Sequence, residues 1–333
     1  MPELERALLA VIGARVDGAE LEFARRPESL GGGYWAEISA FSLAAAPRGF
    51  AGELILRRMP PSPRTRIEIA VHSAVAELGY PTPRVRAFGG ADEPLGRAFL
   101  IMDRADGTTL DQVSRAPERL RRIRVLPRLL AEAQVRLHAL PVEPLAERLA
   151  KHGLAPADLS VAALLGDLGA QIRALGSREL RQAHAWLERT RPSERRLALC
   201  HCDVHPNNLI VAADGSWTLI DWTNARLAEP ELDVAFSAEL IELAPLAVPR
   251  ALRRVVRLWL RQASRSFQSR YRAHAPLDAT RVAWYQTLYR LQLLVRVEAS
   301  RAALPDAPPF PSAHPWRLVE PFAAARLRAA MSR

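Results

Sequence analysis

The sequence predicts an α+β fold in two lobes, a small β-rich amino-terminal lobe over residues 1–103 and a large, mainly helical carboxy-terminal lobe over 104–333. Strand-like runs crowd into the first hundred residues, whereas from Thr108 onward apolar residues recur three and four apart, the helical spacing. One further cluster of short apolar runs, between Leu197 and Ile220, interrupts the helices. A composition 49% hydrophobic and 25% charged over 333 residues supplies enough apolar side chain for a packed core and excludes a disordered chain.

In order along the chain, Met1 to Val16 sets Glu3, Glu5, Arg6 and Arg15 around a short apolar stretch. That matches neither a basic-then-apolar leader nor a membrane span, so a cytosolic protein is expected. The first hundred residues read as strands with one helix between them. Trp35 to Leu43 and Glu53 to Arg58 form a hairpin across the turn-prone Ala46-Pro47-Arg48-Gly49. Ser62 caps a helix whose first position is Pro63, and Ile67, Ala70, Val71, Ala74, Val75 and Leu78 keep helical spacing until Gly79. Pro81 and Pro83 force an extended segment, and a strand follows at Ala98 to Met102. Helices are expected over Leu120 to Leu140 and much of Val161 to Arg189, then around Pro249 to Phe267, Val282 to Ala303 and Trp316 to Met331.

The interruption carries the chemistry. It reads His201-Cys202-Asp203-Val204-His205-Pro206-Asn207-Asn208, then Ile220-Asp221-Trp222 beyond a hairpin turning at Ala213-Asp214-Gly215-Ser216. A carboxylate at a strand end can orient a hydroxyl and accept its proton. An amide oxygen five residues on and a second carboxylate beyond the hairpin are hard ligands suited to Mg²⁺. Cys200, His201, Cys202 and His205 also suggest zinc, but ligands crowded on alternating strand positions rarely converge tetrahedrally. Two cysteines one residue apart are poorly placed for a disulfide.

These blocks resemble the aminoglycoside phosphotransferase and choline kinase family, whose members carry His-Gly-Asp-x-His-Pro-x-Asn followed by Ile-Asp-Trp or Ile-Asp-Phe. The resemblance covers residues 28 to 236 and implies a protein-kinase-like fold and an ATP-dependent small-molecule kinase. It makes Asp203 the catalytic base and Asn208 and Asp221 the metal ligands. Asp233 and His201 become structural supports of the catalytic loop. The family glycine after the first histidine is Cys202 here, so ordinary backbone angles or a shifted loop are expected at that position.

The nucleotide side follows from the same resemblance. Gly31, Gly32 and Gly33 precede the first strand and offer backbone N–H groups to phosphate oxygens. In Glu53 to Arg58, alternation puts Ile55 and Arg57 on one face, with Ile55 lining the adenine pocket and Arg57 the phosphate-positioning cation. The usual lysine is excluded, because the single lysine of the chain is Lys151. Glu68 is the ion-pair partner of Arg57, and the backbone of Asp103 and Ala105 meets adenine at the hinge. The implied cofactors are ATP and Mg²⁺, and the partner is a small-molecule hydroxyl acceptor, an antibiotic or a metabolite alcohol. The alternatives are a nucleotide-binding pseudokinase and a kinase with a macromolecular partner.

Net charge is +10 with no run of five basic residues, which argues against a nucleic-acid-binding protein. From residue 240 onward there are 16 arginines against five acids, a balance that suits neutral or anionic acceptors over polycations. Arg250, Arg253, Arg254, Arg257, Arg261 and Arg265 define one arc of a helix, read as a solvated face opposite Val255, Val256, Trp259, Leu260 and Phe267. Trp284, Tyr285 and Tyr289 are expected in the core more than in an acceptor wall.

Overall fold

A computed structural model describes residues 2–16, 20–31, 36–110, 112–113, 115–244, 249–304, 307, 310 and 315–332. Strands β1 (Phe23–Ser29), β2 (Glu37–Leu43), β3 (Leu54–Met59), β4 (Val85–Gly89) and β5 (Ala98–Asp103) form an antiparallel sheet in the order β1-β2-β3-β5-β4. Its two faces divide as alternation requires. Leu54 and Leu56 join Phe41, Phe99 and Ile101 under helix α1 (Pro2–Gly13), which contributes Leu8, Val11 and Ile12. Ile55 and Met59 lie on the other face with Ala40, Leu100 and Met102.

The single helix expected in this lobe is thus joined by a second, α1, and the strand β1 precedes the glycine triplet expected before the first strand. Helix α2 (Pro63–Glu77) starts as the sequence demands: the Ser62 hydroxyl accepts the Thr65 N–H at 3.3 Å and Pro63 takes the first turn.

The polypeptide leaves β5 through Gly107, whose φ of +109° and close approach to the backbone of Val211 admit no side chain: an added Cβ would stand 2.4 Å from the Val211 carbonyl oxygen. Thr108 and Val211 then exchange backbone hydrogen bonds, tying the linker to the second lobe. There, helices α3 (Ala116–His138), α4 (Val142–Lys151), α5 (Val161–Leu175), α6 (Arg178–Arg189), α7 (Pro230–Glu242), α8 (Arg253–Arg272), α9 (Ala279–Arg301) and α10 (Pro315–Met331) enclose two small ladders. One pairs β6 (Ala198–Cys200) with β9 (Arg226–Ala228), and the other pairs β7 (Leu209–Val211) with β8 (Trp217–Leu219). Both cysteines are free and buried.

The outer arc of α8 departs from expectation. Leu260 and Phe267 are buried, but Val255 and Trp259, expected opposite the arginines, are exposed, as are Leu252 and Leu258. Trp284, Tyr285 and Tyr289 lie in the core, with Tyr289 edge-on to Phe236.

Candidate active site

Strand β6 ends at Cys200, and the chain turns sharply so that His201 and Cys202 both point their N–H groups at one buried carboxylate. Asp233, in the first turn of α7, accepts from His201 at 3.0 Å and from Cys202 at 2.8 Å. His138 of α3 donates Nε2–H to the same carboxylate at 3.1 Å, and its Nδ1 meets the Tyr271 hydroxyl at 2.8 Å. Burial raises the Asp233 pKa, but the His138 hydrogen bond and charge, the His201 charge and the His201 N–H more than offset it, and the net shift is downward. Among the described residues, the one group of three ligand-type side chains within 4.8 Å is His138, Cys200 and Asp233, and its polar atoms are spent on these internal bonds.

Cys202 has φ of +63°. The residue therefore adopts the left-handed backbone that favours glycine and not the ordinary angles expected from the sequence. Two N–H groups held by one buried carboxylate fix the turn, and the side chain is small enough to fit. Burial first and the Asp233 charge next push its thiol well above the usual range, so it stays protonated.

The turn presents Asp203, whose side chain is 22% exposed. Its Oδ2 accepts from Asn224 Nδ2 at 3.2 Å, and His205 Nε2 lies 3.7 Å from Oδ1. Asn208 donates Nδ2 to the Asp203 carbonyl oxygen at 3.0 Å and accepts the Ile220 N–H on its own carbonyl at 3.0 Å. The loop bearing Asp203 is thereby stitched to the strand end bearing Asp221, to which His201 adds a bond from Nε2 to the Ile220 carbonyl at 3.1 Å.

Asp221, with φ of +72°, turns its side chain back toward this loop, and its Oδ1 accepts the Thr223 hydroxyl at 2.7 Å. Burial raises its pKa, while the Arg57 charge, the Thr223 hydroxyl and the His201 charge outweigh that, so the carboxyl is held below the usual range. Arg57 reaches from β3 to both lobes: NH1 stands 3.1 Å from Glu68 Oε1 and NH2 3.6 Å from Asp221 Oδ2. The expected pairing of Arg57 with Glu68 is therefore present, both groups buried. Neither Glu68 oxygen accepts a well-directed hydrogen bond, and Arg57 Nε is buried without a partner.

At the hinge, the Asp103 N–H is taken by the Arg84 carbonyl and its carboxylate by Arg86, at 2.6 and 2.8 Å. Any contribution of Asp103 to a base falls to its carbonyl. Ile55 pairs with Met102 in the apolar face beside it. Gly31, with φ of +65°, follows β1 at the turn toward β2, and Gly32 and Gly33 lie outside the described residues.

Sequence reasoning missed Asn224, Arg226 and Arg296 around the turn of Cys202 and Asp203. Arg296 donates NH2 to Asn224 Oδ1 at 2.8 Å. The available signal was an arginine set in the apolar run Leu291 to Val297 of a helix buried on nearly all sides.

A model of the phosphotransferase enzyme family matches residues 45–277. An aminoglycoside 3'-phosphotransferase of Streptomyces fradiae is 30% identical over 215 residues, 63% of this chain and 73% of that protein. Among solved structures, a presumed aminoglycoside phosphotransferase of Ralstonia eutropha superposes with a TM-score of 0.67 at 15% identity, covering 98% of this chain and 97% of that one. A thermostable mutant of aminoglycoside phosphotransferase APH(4)-Ia, in ternary complex with AMP-PNP and hygromycin B, gives a TM-score of 0.62 at 17% identity, covering 100% and 98%. These structural likenesses establish the fold.

Proposed function

Since this chain belongs to the phosphotransferase enzyme family, the ATP-dependent kinases of small-molecule hydroxyls, we propose that Asp203 is its catalytic base, Asn208 and Asp221 its metal ligands and Arg57 its phosphate-positioning cation. One observation carries the reading: Asn208 ties the Asp203 loop to Ile220, beside Asp221, and Asp221 faces Arg57 across the lobes.

The residues fit the groups they would hold. Asn208 spends its amide hydrogens on Asp203 and keeps its side-chain oxygen; Asp221 is ionised. Such hard oxygens would hold Mg²⁺, which would supply positive charge to stabilise the phosphate during transfer. The unspent Nε of Arg57 is a buried donor available to a phosphate oxygen. The acceptor hydroxyl lies against Asp203, which orients it and takes its proton, while Asn224 fixes the carboxylate plane. Ile55 would wall the adenine, the backbone of Asp103 and Ala105 would meet its edge, and the Gly31, Gly32 and Gly33 N–H groups are the donors assigned to the phosphates. The acceptor class is an antibiotic or metabolite alcohol, and a cytosolic location belongs to the same reading. Among the described residues, no helix is long and apolar enough to cross a membrane.

The test is ADP release from Mg·ATP across aminoglycosides, macrolides, nucleosides, choline-like alcohols, sugars and hydroxy acids. One class should stimulate release, and omission of Mg²⁺ should abolish it. Asp203→Ala should lower kcat by about 10²–10⁴-fold while ATP still binds. Near-normal turnover in that variant removes the base assignment, and absence of ATP binding removes the nucleotide site.

A further inference from the structure

Several buried or largely buried arginines are paired with carboxylates. Arg57 stands 3.1 Å from Glu68, Arg281 2.5 Å from Glu229 and Arg290 2.6 Å from Glu239. Arg296 and Arg226 form another group: Arg296 is tied through Asn224 to Asp203, and Arg226 lies near Arg296 and Cys202. Arg296, 9% exposed, gives NH2 to Asn224 and rests 5.4 Å from the Trp316 ring centroid, but its Nε is buried without a hydrogen-bond partner. Arg226, at the start of β9, gives NH1 to the Ala225 carbonyl at 3.0 Å, and its Nε is likewise buried and unspent. Among the described residues, neither has a carboxylate within ion-pair distance. Asp203 and Asp167 act on them only through space, while Arg64, from the first turn of α2, adds a third positive charge nearby. Desolvation lowers the pKa of both groups, and for Arg296 the repulsion of Arg64 and Arg226 lowers it further.

An uncompensated buried guanidinium is costly and is retained where a ligand completes it. The phosphate side of the site already has Arg57. Asp203 stands between the two regions: its backbone carbonyl holds the metal-ligand residue Asn208, and its carboxylate holds Asn224, whose other end holds Arg296. The acceptor must bring its hydroxyl to that carboxylate, so the body of the acceptor reaches these arginines.

We propose that the acceptor is an alcohol bearing an oxyanion, a carboxylate or a phosphate, which docks on Arg226 and Arg296 while its hydroxyl meets Asp203. The inference rests on the kinase reading above and narrows its acceptor. Guanidinium forks bind such oxyanions through paired N–H groups, and the two unspent Nε donors are those the ligand would use. A polyamine acceptor meets two like charges instead.

The experiment compares acceptors matched in shape and different in charge: gluconate and glucose 6-phosphate, then glucose, then glucosamine and an aminoglycoside. Each is assayed by ADP release with wild-type protein and with R296Q, R296K and R226Q. The anionic members should be preferred. R296Q and R226Q should raise KM for them by about tenfold without raising KM for ATP, and R296K should recover part of the loss. Arg226 is only half-buried, so R226Q serves if R296Q fails to fold. Preference for neutral or cationic members overturns the proposal, as does a rise in KM for ATP alone. Where no compound is turned over, the melting temperature with Mg·AMP-PNP decides: a further rise with gluconate or inorganic phosphate, lost in R226Q, supports the anion site, and no such rise overturns it. Failure to bind AMP-PNP strikes the kinase reading instead, and anion-dependent melting of the protein alone still reports on the arginines.

Discussion

At the residue scale, the sharpest departure is a cysteine holding a glycine backbone. A left-handed non-glycine residue costs about 1–2 kcal/mol, which at Cys202 is offset by its N–H bond to Asp233 and by burial of the thiol. Cys202→Gly should therefore be close to neutral: relief of strain is set against chain entropy of up to about 1 kcal/mol and the lost side chain. Cys202→Val, with a branched Cβ in the same conformation, should cost about 2 kcal/mol or more in urea unfolding. Equal losses in both variants would remove the strain account. Asp233 is the counterpart that holds the turn. Its folded pKa is depressed, so the stability it supplies is complete above the unfolded carboxylate value of about 4 and is lost as pH falls through the lower folded value. Asp233→Asn should cost about 3 kcal/mol at pH 7, and the loss relative to wild type should shrink as unfolding is followed down toward pH 3.

At the scale of elements, α2 matters most because it carries Glu68 to Arg57 and Arg64 to the catalytic loop. Its start was legible: Ser62 and Pro63 form a cap that no neighbouring contact has to specify. Ser62→Ala should lower stability by about 1 kcal/mol, and a shift of α2 should also appear as weaker ATP binding in titration calorimetry. Unaltered stability would mean that packing, not the cap, sets the first turn. Strand β1 was not legible, because an edge strand containing Arg25, Arg26, Pro27 and Glu28 faces solvent on most positions and pairs β2 irregularly. The outer arc of α8 misled in the opposite sense, since helical spacing identified its apolar residues and only packing decided which of them are covered.

At the scale of the whole molecule, the lobes share a core. Ile67, Ala70, Val71, Ala74, Val75 and Tyr80 of the α2 region pack in one cluster with Leu130 and Leu137 of α3, Leu219 and Trp222. Thr82 donates its hydroxyl to the Leu219 carbonyl at 2.8 Å and accepts the Trp222 indole N–H at 3.0 Å. By sequence α2 lies before the 103/104 boundary; by packing it belongs as much to the second lobe, leaving the sheet and α1 as the part resting on it. A single calorimetric unfolding transition is the expected consequence. Two separated transitions, with ATP analogue shifting only one, would show instead that the sheet unfolds by itself.

The sequence by itself determined the family, the two-lobe class and the position of most of the helices, and it singled out Asp203, Asn208, Asp221, Arg57 and Glu68 as candidates, because local periodicity, caps and short-range spacing are written along the chain. Only the tertiary structure decided that Cys202 takes the left-handed turn, that Asp233 and His138 brace it from two helices, and that Arg226 and Arg296 stand near this turn with no ion-paired carboxylate among the described residues. Those facts depend on which side chains from distant segments meet in one low-dielectric volume, where a missing partner is costly and an existing one fixes backbone angles. No spacing along the chain encodes such a meeting.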